Sequence, residues 1–137
     1  MGIFDKFSSS RDIELTPRAA LTLATITMIA IDGAIEDEEM SMLDRIVRGD
    51  GELWDQVTRI YKDRSIEDCI TLVNETLNQE QKIVAVINML DIAMADGMLA
   101  GDEEKLMMVY LDQFSIPKKE IENIVEVIAM KNNFSIF

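Results

Sequence analysis

The chain has 137 residues, 13 basic and 26 acidic side chains for a formal charge of −13, 48% hydrophobic residues, no histidine and a single Cys69. These figures describe one globular domain, and they exclude imidazole catalysis, nearly all zinc sites, disulfide scaffolds and dithiol redox chemistry. So acidic a surface repels nucleic-acid backbones, anionic lipid heads and oxyanions, and attracts cations or basic partners.

The opening stretch Met1–Ser8 has neither the basic start nor the apolar run of a secretory signal. Lys6 occupies the Ser/Thr position of a myristoylation pattern, which is therefore missing. Residues 1–14 are expected to form a flexible segment in which Ile3, Phe4 and Phe7 are available to touch a membrane or partner. Thr16-Pro17 marks a helix start, with Thr16 as cap and Pro17 at the first helical position. The helix that follows runs to about Ile31 and is apolar on nearly every side, which places it inside a bundle. Its uncharged run, Ala19–Ile31, is 13 residues long, short of the roughly 18 that would span a bilayer. With Cys69 unpaired, the expectation is a soluble cytoplasmic protein.

A second helix is expected over Asp37–Val47, burying Met40, Leu43 and Val47. Gly49-Asp50-Gly51 ends it, and a short helix through Leu53, Val57 and Ile60 follows. Ser65 caps a fourth helix with Ile66, Cys69, Ile70, Val73 and Leu77 on one face. Asn78 and Gln81 form a capping box that opens a second near-uniformly apolar helix, Ile83–Ala95. The sixth helix covers about Asp102–Phe114, and the seventh, after Pro117, buries Ile121, Ile124, Val125 and Ile128. The fold class is all-α, a compact bundle of about seven helices over 15–131, with 132–137 as a C-terminal tail in which Phe134, Ile136 and Phe137 could pack back.

The most informative feature is an internal repeat around the two central apolar helices. Asp32-Gly33-Ala34-Ile35-Glu36-Asp37-Glu38-Glu39 aligns with Asp96-Gly97-Met98-Leu99-Ala100-Gly101-Asp102-Glu103 at an offset of 64. Both fit Asp-Gly-x-(Ile/Leu)-x-x-x-Glu, and each lies between an apolar helix and an amphipathic one. Gly33 and Gly97 stand where a helix must stop, in positions suited to left-handed backbone. Ile35 and Leu99 would seal the turns. Glu39 and Glu103 fall in a first helical turn, where the macrodipole favours an anion, whereas Asp32 and Asp96 sit at helix C-termini, where it does not.

Two readings stand. In one, the motif is a helix corner whose aspartates cap the next helix. In the other, Asp32, Glu36, Glu39, Asp96, Asp102 and Glu103 hold divalent cations, with Glu38 and Glu104 beside them. Neither copy is a complete EF-hand loop, because the first and third ligand positions fall on Met28 and Ala30, and on Ile92 and Met94. Oxygen-only donors favour Ca²⁺, Mg²⁺ or Mn²⁺.

The two Asp-Gly segments, with Glu39 and Glu103 and their flanking helices, resemble the TerB-like tellurite-resistance family over roughly Leu15–Met130. The resemblance implies an all-α, cytoplasmic, non-enzymatic module whose paired acidic residues (Asp32, Glu39, Asp96 and Glu103 here) chelate metal. It also implies protein partners in membrane-linked stress-response complexes. The second copy departs from the first in carrying Ala100 and Gly101 where Glu36 and Asp37 stand. Direct tellurite reduction is not expected, since Cys69 lies on an apolar stripe. Met40, Met89, Met94, Met107 and Met108 are expected in the core, and an exposed methionine near Met98 is a lesser option.

Three functional classes compete: a cation-binding interaction module, a metal-independent adaptor that docks a basic partner, and a carboxylate-rich metalloenzyme. A di-iron bundle fails for want of histidine. A Mg²⁺-dependent hydrolase has no visible nucleophile or phosphate-cradling loop. The favoured expectation is the cation-binding module, not an enzyme.

Overall fold

A computed structural model describes residues 14–31, 33, 35–94 and 101–137. Each helix begins where a local cap dictates. Helix α1 (Pro17–Ala30) starts behind Thr16, whose Oγ1 accepts from the Ala19 N–H at 3.1 Å. Helix α2 (Asp37–Val47) ends at Arg48, which turns the chain through a left-handed conformation at φ 54°. Helix α3 (Gly51–Asp63) is capped by Asp50, which accepts from the Leu53 N–H at 3.1 Å. It is a full 13 residues, longer than the short helix its sequence suggests.

Helix α4 (Ile66–Thr76) starts behind Ser65, and α5 (Gln79–Ala93) behind the reciprocal Asn78–Gln81 capping box. Helix α6 (Asp102–Phe114) follows Gly101, α7 (Lys118–Lys131) follows Pro117, and a 3₁₀ turn covers Phe134–Ile136. Among the described residues there are seven α-helices and no strand. The expected all-α bundle is therefore what forms.

Helix α1 is the axis of the bundle. It packs against α2, α3, α4, α5 and α6, and Ala19, Ala20 and Thr22 through Ile29 are all buried. Burying three threonines would be costly if their hydroxyls lacked partners. Thr22 donates to the Arg18 carbonyl and Thr25 to the Leu21 carbonyl, both at 2.8 Å, so α1 satisfies them internally. Thr27 donates to the Ala24 carbonyl at 2.7 Å and pairs with the Tyr110 hydroxyl of α6 at 2.5 Å. Tyr110 packs edge-on against Phe114 at 5.5 Å between ring centres.

The second apolar helix is not α1's equivalent. Helix α5 buries Ala85, Val86, Met89, Leu90, Ile92 and Ala93 but leaves Val84 and Ile87 exposed. Two other expectations are overturned. Ile35 is 48% exposed and seals no turn, and Met108 is 58% exposed on the outer face of α6, while Met89, Met94 and Met107 do lie in the core. Phe134, Ile136 and Phe137 do not pack back; all three are largely exposed.

The Thr27–Tyr110 pair generates an ordered prediction. Thr27→Val leaves the buried Tyr110 hydroxyl without this partner and should cost about 2 kcal/mol, whereas Tyr110→Phe leaves Thr27 bonded to Ala24 and should cost about 1 kcal/mol. Urea unfolding of both variants checks the order. Burial also holds the Tyr110 phenol protonated well above its ordinary value of 10.0. The unfolded chain releases that proton near its ordinary value while the native chain keeps it. Stability should accordingly fall as pH rises past 10, and fall less steeply in Tyr110→Phe.

Candidate functional site

The first Asp-Gly corner follows α1. Gly33 has φ +84° and donates its N–H to the Ala30 carbonyl at 3.0 Å. This is the left-handed helix stop expected of it, at a conformation strained for other residues. Asp32 and Ala34 lie outside the described residues. Three residues on, Glu36 is the N-cap of α2 and Glu39 its third helical residue, and together they form a capping box. The Glu39 carboxylate accepts from the Glu36 N–H at 2.8 Å. Asp37, Glu38 and Glu39 all occupy the first turn of α2, where the helix N-terminus stabilises negative charge.

Of the second corner only the part from Gly101 onward is described. Residues 95–100, and with them Asp96, Gly97, Met98 and Leu99, lie outside the described residues. Gly101 is the N-cap of α6 at φ 63°, ψ −131°, a region essentially reserved for glycine, and it supplies no side-chain cap. Asp102, Glu103 and Glu104 form the acidic first turn. Under the repeat alignment α6 starts one residue later than α2. Glu103 is thus a second helical residue where Glu39 is a third.

The start of α2, just after the first corner, lies beside the last turn of α5. Glu38, Glu39, Ser41, Met42 and Arg45 of α2 line a cleft of about 550 Å³ together with Asp91 and Ile92 in the last turn of α5. Lys131, Asn132 and Phe134 close it from the α7 end. At the opposite end, Pro17 and Arg18 of α1 share a wall with Gln81 and Val84 of α5. So α1 and α5 run in the same direction, and the second Asp-Gly segment follows the helix that ends beside this cleft. Asp91, which reads in the sequence as a mere interruption of an apolar helix, ties α5 to α7. It accepts from Lys131 Nζ and from Asn132 Nδ2, each at 3.2 Å.

Among the described residues no group of three or more Asp, Glu, Cys or His side chains converges as a metal shell would. The donor chemistry nonetheless fits a hard cation: the candidate ligands are all carboxylates. The EF-hand register is closed off structurally, because Met28, Ile92 and Met94 are buried apolar residues. Cys69 is fully buried, and burial pushes its thiol pKa above the ordinary 9.0, which makes it a poor nucleophile or reductant. No described helix is long and apolar enough to cross a membrane.

The family described as tellurite resistance protein TerB matches residues 18–126, from the first turn of α1 into α7. No curated protein and no solved structure matches the chain.

The capping box separates two roles of one carboxylate. Glu39→Ala removes both the bond and the charge and should lower stability by about 1 kcal/mol. Glu39→Gln keeps an acceptor for the Glu36 N–H and should lose only the dipole contribution, about 0.5 kcal/mol. Thermal melts followed by circular dichroism rank the two.

Proposed function

The chain belongs to the TerB family, and from that premise we propose that it is a non-enzymatic, acidic helical module that binds divalent cations at its Asp-Gly corners and acts in a cytoplasmic tellurite- or stress-response complex. The observation that carries the reading is the shared cleft: the start of α2 and the last turn of α5 form its walls. Glu38 and Glu39 of the first repeat line it beside Asp91, and the second repeat follows the helix that carries Asp91. Asp32, Glu36 and Glu39 serve the first corner, and Asp96, Asp102 and Glu103 the second. Ca²⁺ or Mg²⁺ suits such donors best, with Mn²⁺ the next candidate, and a Ca²⁺ shell of six to eight oxygens leaves room for backbone carbonyls and water. Binding would offset part of the repulsion within each acidic first turn of a chain with charge −13.

A second reading has its own support. The Glu36–Glu39 capping box gives both side chains a structural task without any metal. On that reading the chain is a metal-independent adaptor whose acidic end docks a basic protein partner.

Thermal unfolding in Ca²⁺, Mg²⁺ and Mn²⁺ at constant ionic strength separates them, since constant ionic strength removes general screening. The cation-binding reading predicts a rise in Tm for at least one ion, abolished by Asp32→Asn with Asp96→Asn. At a hundredfold excess over Kd the linkage amounts to about 2.7 kcal/mol. Melting curves identical with and without all three ions would establish the adaptor reading instead.

A further inference from the structure

The other end of the bundle runs against the chain's overall charge. Arg18, Arg45 and Arg48 line a cleft of about 290 Å³ whose remaining wall is Pro17, Leu21, Ile46, Leu77, Gln81 and Val84. Among the described residues no carboxylate lines it, in a chain where acidic side chains outnumber basic ones 26 to 13. Among the described residues none of the three guanidinium groups makes an ion pair or side-chain hydrogen bond. Helix ends do not explain the cluster. The first turns of α1 and α5 and the last residues of α2 and α4 meet here. Two positive and two negative helix ends, each about half a charge, cancel. Arg18 moreover sits in the first turn of α1, where the dipole disfavours a cation.

We propose that this cleft is an anion site for a phosphate monoester. Arginine presents donors in a planar fork matched to phosphate oxygens, and three of them around one cleft suit a dianion. Leu21, Ile46, Leu77 and Val84 give the ester's organic group an apolar surface to lie on, so an aromatic or aliphatic ester binds more tightly than inorganic phosphate. The overall charge of −13 repels anions at long range, but that repulsion is screened beyond about 8 Å at physiological salt, whereas contact with the guanidinium groups is not. The site is independent of the cation reading: Arg18 and Arg48 do not line the acidic cleft, while Arg45 stands between the two.

The test titrates the full chain with inorganic phosphate and with phenyl phosphate at constant ionic strength, followed by amide NMR shifts. The proposal predicts saturable shifts confined to the residues around Arg18, Arg45, Arg48 and Gln81, with phenyl phosphate binding more tightly. Arg18→Gln with Arg48→Gln should weaken binding about tenfold or more, a loss of about 1.4 kcal/mol, while the thermal melt stays within a few degrees of wild type. Phosphatidylcholine vesicles with and without phosphatidic acid distinguish the source. Capture by the phosphatidic acid vesicles alone, lost in the double variant, assigns a lipid headgroup; saturable ester binding without capture assigns a soluble ester. Shifts that fail to saturate, shifts spread over other basic residues, or a double variant that binds as well as wild type would overturn the proposal.

Discussion

Everything about this molecule's layout depends on one helix buried over most of its length. A bundle can bury α1 on all sides only if its polar groups find partners, and the three threonines solve that by turning their hydroxyls back onto α1's own carbonyls. Thr27 alone reaches outward, to Tyr110, and so links the axis to α6. With α1 fixed in the centre, α5 packs along it in the same direction. The two Asp-Gly segments thus follow two helices that run in parallel. The arginine cleft sits at the start of α1, and Arg45 of α2 borders both it and the acidic cleft.

This arrangement gives the acidic residues two kinds of work, and the two copies divide it unequally. In the first copy Glu36 and Glu39 close the start of α2, and the acidic first turn is favoured by the helix N-terminus. In the second, the N-cap position of α6 is Gly101, which has no side chain to cap with. A repeat that is regular in sequence is therefore irregular in its local chemistry. Equal affinity of the two corners for a cation is not expected, and Ala100 and Gly101 in place of Glu36 and Asp37 point the same way.

Most of the fold was legible in the sequence because its signals are local. Thr16-Pro17, Ser65 and the Asn78–Gln81 box each mark a helix start within a few residues, and the apolar spacing of α4 shows its buried face directly. Exposure was harder to read. Met108 follows the same helical spacing as Met107, yet only packing against α4, α5 and α1 decides which of the two faces inward. The capping role of Glu39 left a faint trace, the Glu36-x-x-Glu39 spacing, in a position where Ser, Thr, Asp or Asn is the usual cap. The arginine cleft left none. Its residues come from the start of α1 and the end of α2, some 30 positions apart, and meet only because α2 folds back along α1.

The central claim is that both corners present their carboxylates to one region at a single end of the bundle. Paramagnetic broadening by substoichiometric Mn²⁺ in amide NMR spectra tests it most directly, because the effect falls off steeply with distance. The account predicts that resonances of residues 32–39 and 96–103 broaden together, ahead of those from every other acidic segment. Broadening at one corner only, or spread evenly over the chain's acidic surface, would contradict it.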